Sequence, residues 1–506
     1  MRCFLNPGIG WRQNRPSRGV CATMLGRLIS LLAFLLLTAC ALIPPSPPPP
    51  PADPIAAHCL DLYAAVDKTV ANDGVTPSSP ARIAGFPYLR VNRFLASYRD
   101  EPMDAAGRAA WVARLAELDR QARQVELESL PGPVLEDLTH GAALDACAQT
   151  LQAYLLASPQ HLGLVRERAV VPPDYRTLNR VLGLYPLLAL PVSYGIFRWH
   201  EETHRVFALP LEALPVRGKL RRWRPPGEAV EIPPFTELSR DALGIPEPTP
   251  APLADLYAAH APVWEIDVVG NFDLPGTPFW RNDGIPSVDP SVPVTYRYAT
   301  YTRWQGRVLL QLNYLIWFAE RPLTGLLDIY GGALDGLIWR VTLDHDGTPL
   351  LYDSIHPCGC YHLFFPGPGL RLRPTALALP EPPLVPQWAP LINPDTRVIV
   401  RMASGNHFIQ RVYTAVPEEG SVYAWRDYQE LYSVPVMGDD QRSLFGLDGL
   451  VPGTERRERW LLWPMGIPSA GAMRERGRHA TAFIGRRHFD DPDLLERLFE
   501  PVGFKL

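Results

Sequence analysis

The stretch VTYRYATYTRWQGRVLLQLNYLIWF, residues 294–318, decides the fold class. Its first part alternates and is rich in Tyr and Thr, side chains that suit a pleated, half-buried surface. Gln305-Gly306 offers a turn, and an apolar run follows. Two such runs around a glycine turn predict a β-hairpin. Working outward, GLIWRVTL, the turn DHDGT and PLLYDSIH predict a second hairpin over residues 336–356. RVIVRMAS (397–404), FIQRVYTAV (408–416) and SVYAWRDY (421–428) add further strands. Residues 254–506 therefore read as a β-rich, mainly antiparallel domain, with a proline-rich excursion over 366–396. The closing DDPDLLERLFEP predicts a short helix with Asp491 as its N-cap and Pro492 at its first position.

Upstream the period changes. WVARLAELDRQARQVELESL (111–130) and LEDLTHGAALDACAQTLQAYLL (135–156) repeat apolar residues at helical spacing, so residues 55–224 read as a helical domain. VLGLYPLLALPVSYGIF (181–197) is apolar nearly all round but holds Pro186 and Pro191. It predicts a buried, broken helix pair rather than a membrane span, because prolines leave backbone carbonyls unpaired in lipid. A proline-rich linker, 225–253, separates the two parts. The fold class is α+β: a helical N-terminal domain followed by a β-rich C-terminal domain.

At 506 residues, two domains are the default, and 47% apolar content is globular. A net charge of −4 with no long basic run gives no electrostatic surface for nucleic acid. The 56 prolines favour irregular connections, and the 13 tryptophans read as core. RERGRHATAFIGRRHF (474–489) reads as a charged surface loop. No phosphate-binding glycine loop, G-x-S-x-G elbow or dinucleotide fingerprint is found.

MLGRLISLLAFLLLTAC, residues 24–40, has Arg27 and then an apolar run from Leu28 to Leu37 that is too short to span a bilayer. Leu37-Thr38-Ala39-Cys40 resembles the lipobox of bacterial lipoproteins. The resemblance implies a signal region over 1–40 and a mature chain that begins at Cys40, lipidated there with palmitate-type acyl chains. Ala41 is not the aspartate that retains such proteins in the inner membrane, so the implied site is the periplasmic face of the outer membrane. Residues 41–54, which include IPPSPPPPPADP, read as a polyproline tether. The partners expected are the membrane, through the lipid on Cys40, and components of the cell envelope.

Beyond the signal, four cysteines remain: Cys59, Cys147, Cys358 and Cys360. An oxidising periplasm allows three pairings, and Cys59–Cys147 is the one favoured, leaving Cys358 and Cys360 as a unit. That unit lies in HPCGCYH, residues 356–362. On an extended strand His356, Cys358, Cys360 and His362 share a face, although one ion cannot collect all four without a bend at Gly359. Three readings stand: a zinc or copper site with His407 as a further ligand, a strained Cys-Gly-Cys disulfide or redox dithiol, and a structural clip.

HEETH, residues 200–204, matches H-E-x-x-H and resembles the zincin metallopeptidase motif. The resemblance implies zinc on His200 and His204 with Glu201 activating water. Glu202 and Arg205 are charged, unlike that family's buried helix, and the other reading is a solvated face with Glu–His and Glu–Arg pairs. The function expected is an outer-membrane-anchored envelope binding or structural protein with a metal or thiol site at HPCGCYH; the alternative is a zinc metallopeptidase using HEETH.

Overall fold

The computed structural model describes residues 48–72, 79–130, 141–227, 238–393, 395–416, 419–437 and 440–502. The signal region, Cys40, the first half of the tether and residues 228–237 of the linker lie outside the described residues. Helix α1 (Pro54–Asn72) is followed by the hairpin β1 (Ala81–Ile83) and β2 (Phe86–Val91). Helix α2 (Ala105–Glu128) starts where Asp104 accepts a hydrogen bond from Gly107 N at 2.7 Å. Helices α3 (Gly141–Ala157) and α4 (Pro159–Arg168) complete the first layer. The expected disulfide, Cys59–Cys147, joins α1 to α3 with Cα atoms 5.2 Å apart. Inside this layer α2 buries Asp119 and Glu126 against Arg90 of β2, at 3.0 and 2.5 Å. This ionic pairing holds the helices to the hairpin.

The apolar stretch 181–197 departs from expectation. Tyr185–Ala208 forms one continuous helix, α5, with Pro191 inside it. Five of its large apolar side chains are exposed: Leu187, Leu188, Leu190, Tyr194 and Phe197. Apolar content on every side predicts burial only where a protein surface covers it, and among the described residues nothing encloses these side chains. A second departure is strand inside the stretch read as helical: the β1–β2 hairpin and β3 (Lys219–Arg224).

After α6 (Pro250–Ala259) the strands run β4 (Val263–Val268), β5 (Val294–Trp304), β6 (Arg307–Arg321), β7 (Gly332–Leu343), β8 (Pro349–Ile355), β9 (Leu363–Pro366), β10 (Arg397–Met402), β11 (Ile409–Ala415), β12 (Ser421–Val422) and β13 (Ala424–Asp427). Both expected hairpins form: Tyr296 opposes Leu315 through to Trp304 opposite Arg307, and Ile338 opposes Ile355. The larger sheet has the order β9-β8-β7-β6-β5-β13 and the smaller β11-β10-β4-β3-β12. Pairing is antiparallel except for β13 on β5, β10 on β4 and β12 on β3.

Strand β6 explains the apolar run that opened the reading. Leu310, Leu312, Tyr314, Ile316 and Phe318 pack with Trp264, Ile266, Val400 and Met402 of the smaller sheet. Leu315 and Trp317 face the opposite way, into a second cluster with Tyr296, Tyr298 and Ile338. A strand buried on both faces reads as continuous apolar sequence. Residues Pro50–Leu506 form one compact unit, so the helical and β-rich parts, expected as domains joined by 225–253, share one body. The closing helix spans Leu494–Leu498 with Asp493, not Asp491, at its N-cap. The Asp491 carboxylate is instead taken by the backbone N–H of His488 at 2.9 Å.

Candidate functional site

The HPCGCYH stretch is a turn, not an extended strand. Strand β8 ends at Ile355, and His356 N donates to Cys360 O at 3.0 Å while Gly359 N donates to His356 O at 2.8 Å. Gly359 has φ +87°, and a Cβ there would meet Ala480 O at 2.6 Å, so only glycine fits. The bend sends the four expected ligands to three different places.

His356 Nδ1 lies 3.0 Å from Asp335 Oδ1, and His407 Nδ1 lies 2.8 Å from Asp335 Oδ2. On its other side His407 Nε2 is 3.4 Å from Asp273 Oδ1, with the Phe318 ring stacked on it at 3.9 Å. Burial works to lower the His407 pKa, but hydrogen bonds to Asp273 and Asp335 outweigh it and raise the pKa. Burial likewise opposes ionisation of Asp335, and the two imidazoles overcome it, holding the carboxyl well below its usual range. The result is a buried chain, Asp273–His407–Asp335–His356.

His362 is elsewhere, with Nε2 2.9 Å from Asp353 Oδ2. Asp353 is gripped by Arg340 at 2.8 and 2.5 Å. Burial pushes the His362 pKa down to about 4, so the neutral ring donates Nε2–H while Arg340 carries the counter-charge. Cys358 and Cys360 are free thiols. Among the described residues no group of three or more His, Cys, Asp or Glu is placed to hold a metal ion. His356 and His407 meet through Asp335 while His362 stands on Asp353, so among the described residues the side chains expected to hold zinc or copper do not gather into one group of three.

The thiols sit in a charged setting. The hydrogen bond with Cys358, then burial, raise the Cys360 pKa well above its ordinary value. Burial pushes Glu458 up to about 7 against the pull of Arg321, Arg456 and Arg474. Arg474 Nε donates to Cys358 O at 3.0 Å. A protonated thiol is a poor nucleophile. Iodoacetamide at neutral pH is therefore expected to modify Cys360 much more slowly in the native chain than in denaturant. A mass-spectrometric time course checks this, and equal rates would sink it.

HEETH lies on the C-terminal half of α5. His204 and Glu201 are exposed, and Glu201 reaches Arg205 at 4.0 Å, the i,i+4 pair of a solvated face. His200 is half-buried, and burial lowers its pKa to about 4. The Trp199 ring stands between the two motifs, 5.2 Å from His200 and 5.4 Å from Tyr361. No third ligand joins His200 and His204 among the described residues.

A cavity of about 1050 Å³ lies between α2 and the face of the larger sheet that bears Tyr298, Thr300, Gln311 and Asn313. Arg340, Arg476, His479 and Asp490 also line it. Three residues that line it hold a buried side-chain atom without a hydrogen-bond partner: Asn313 Oδ1, His479 Nε2 and Asp490 Oδ1, the last within ion-pair distance of Arg93. Asn313 is held by its amide, which donates to Tyr298 O at 3.1 Å and Thr300 Oγ1 at 2.9 Å, so Oδ1 is fixed in place. Burial keeps His479 neutral, with its pKa down to about 3, and the backbone of Pro357 and Arg474 contacts the ring. Burial pushes Asp490 up to about 6, against Arg93, whose Nε is 3.4 Å from Oδ1, and His488. Cationic side chains lie over aromatic faces around this space: Arg476 over Tyr428 at 4.9 Å and Arg340 over Phe489 at 3.5 Å.

The chain matches no protein-family model, no curated protein and no solved structure. The site therefore rests on its own geometry. Asn313 and Gln311 were absent from the sequence-derived candidates, yet a signal for them existed: two amides, two residues apart, interrupt an otherwise apolar strand. Asp335, Asp353 and Asp273 carried no comparable signal, because their partners are distant in sequence.

Proposed function

We propose that this is an envelope-anchored binding protein whose ligand, a polar cell-envelope saccharide, occupies the cavity between α2 and the larger sheet. One observation carries the reading: two residues that line this cavity, Asn313 and His479, each hold a buried polar atom without a hydrogen-bond partner. A buried polar atom left without a partner costs roughly 1–3 kcal/mol, and a ligand that donates to it recovers that loss. Asn313 Oδ1 and neutral His479 Nε2 are acceptors, so the ligand must bring donors. Sugar hydroxyls do so, and the tyrosine and arginine faces suit the flat faces of sugar rings. The anchor in this reading is the lipid on Cys40 at the periplasmic face of the outer membrane, supported by the lipobox resemblance. Intact-mass analysis of the N-terminal peptide tests it, and an unmodified Cys40 would refute it.

Calorimetric titration with peptidoglycan fragments and lipopolysaccharide-core oligosaccharides tests the cavity. Binding is expected, and Asn313→Leu is expected to weaken it roughly 5- to 100-fold, the equivalent of one buried hydrogen bond. Saccharide binding that is indifferent to Asn313→Leu, or no binding at all, would overturn the reading. Native mass spectrometry is expected to give one disulfide, two free thiols and no bound metal; a metal lost on Cys358→Ser would restore the metal reading of HPCGCYH.

A further inference from the structure

Of the 35 exposed large apolar side chains among the described residues, sixteen lie on three segments that hydrogen bonds tie together. The first is the turn and helix from Leu178 to Phe197. The second is residues 457–463, which include Trp460 and Leu461. The third is the loop 323–330, which carries Leu326 and Leu327. Arg176 N donates to Gly466 O at 2.7 Å and Arg180 Nε to Met465 O at 2.7 Å, joining the first segment to the second. Arg457 Nη1 donates to Leu326 O at 3.0 Å and Glu458 N to Ile329 O at 3.1 Å, joining the second to the third. Leu326 is 94% exposed, Leu327 93%, Leu190 69% and Trp460 69%. Soluble chains rarely expose large contiguous apolar patches unless something covers them.

The chemistry around the patch says what the cover is. Between Tyr175 and His200 the chain carries Arg176, Arg180 and Arg198 and not one Asp or Glu. Arg457, Arg459 and Arg486 add positive charge beside it. Of the acids nearby, Asp328 is turned inward on the N–H groups of Thr324, Tyr330 and Gly331, while Glu201 and Glu202 lie past the apolar end of α5. Glu455 and Glu320 are exposed, on the approaches to the second and third segments. Leucines ringed by tryptophan, tyrosine and arginine are the composition of a surface that settles into the headgroup region of an anionic bilayer. Among the described residues no helix is long and apolar enough to cross a membrane. Pro191 also removes the N–H that would serve the carbonyl of Leu187, an arrangement tolerated where water reaches and costly in hydrocarbon. The surface therefore lies in the interface rather than spanning it.

Reach agrees with this. From Cys40 to Pro54 the chain extends at most about 50 Å, so an anchored body never leaves the bilayer's vicinity. We propose that α5, residues 457–463 and the loop 323–330 form a docking face that seats the body on the anionic phospholipid surface. This uses the lipid anchor of the preceding reading but not its saccharide.

The test uses the full chain in phosphatidylethanolamine–phosphatidylglycerol vesicles. Leu187→Cys and Leu326→Cys are each labelled with nitrobenzoxadiazole, and Leu391→Cys, exposed outside the three segments, is the reference. The parent chain carried through the same labelling sets the background from Cys358 and Cys360. Labels at 187 and 326 are expected to shift to the blue and to be quenched when the lipids carry brominated acyl chains, while the label at 391 does neither. Omitting phosphatidylglycerol is expected to reduce the quenching. Vesicle-bound chain with labels at 187 and 326 no more quenched than at 391 would overturn the proposal. A blue shift without quenching that grows with protein concentration would also overturn it and assign the face to a second copy. Quenching that persists in Cys40→Ala would uphold the docking face while removing the anchor.

Discussion

Replacing Asp335 with asparagine is expected to destabilise the fold by about 3–5 kcal/mol, the usual cost of removing one partner from a buried charge network. Asp335 accepts from His356 and His407 at once, and all three side chains are buried. Asparagine keeps the shape but withdraws the charge that, with Asp273, raises the His407 pKa. The pH dependence gives a second signature. The Asp335 pKa is lowered in the fold, so its stabilisation is present above the unfolded carboxylate value of about 4 and is lost as pH falls through the folded value. The His407 pKa is raised, so its stabilisation is present below the unfolded imidazole value of about 6.5 and is lost as pH rises through the folded value. Both contributions are complete only between those two unfolded values. Urea unfolding of the native chain is expected to show maximal support from this network in that window, and Asp335→Asn to flatten the profile. A variant as stable as the parent at pH 5 would show that the chain Asp273–His407–Asp335–His356 holds nothing together.

Removing the disulfide is the other large effect. The Cys59–Cys147 bridge closes a separation of 88 residues. Loop-closure entropy for that length amounts to roughly 4–5 kcal/mol. The double variant Cys59→Ala, Cys147→Ala is expected to lose about that much, measured by urea unfolding under oxidising conditions. Reduction of the parent is expected to reproduce the loss, while Cys358→Ser is not. The bridge links α1 to α3, so protease cutting is expected to begin in those helices once it is gone. A double variant that unfolds at the parent's midpoint would place the helical layer's stability in its packing and in the Arg90, Asp119 and Glu126 pairs instead.

What the sequence disclosed follows from how locally each feature is encoded. The hairpins were legible because alternation and a glycine turn lie within one short window, as at Gln305-Gly306. The disulfide was legible because few cysteines remained to pair. The exposure of α5 was not legible, since Leu187 or Phe197 has the same composition whether a protein surface covers it or nothing does. Gly359, with its positive φ, supplies the bend that a four-ligand site needs, but the bend sets His356 on Asp335 and His362 on Asp353, partners that no local pattern marks. His407 was correctly placed near His356, but through Asp335, a residue that no local pattern marks. The cavity was invisible for a similar reason: its acceptors come from β6 and from loops more than a hundred residues downstream.

Strand β4 pairs along its length with β10, across more than a hundred intervening residues. Between them in the chain lie all the strands of the larger sheet except its last, β13. The smaller sheet therefore cannot close until the larger hairpins and the proline-rich excursion have been synthesised, and contacts of such long range make folding slow. A chain stopped before Arg397 would present β4 with one edge unpaired and its Trp264 and Ile266 uncovered by Val400 and Met402. Truncated or slowly emerging copies would be exposed to aggregation and proteolysis, and only a full-length chain acquires a protected centre.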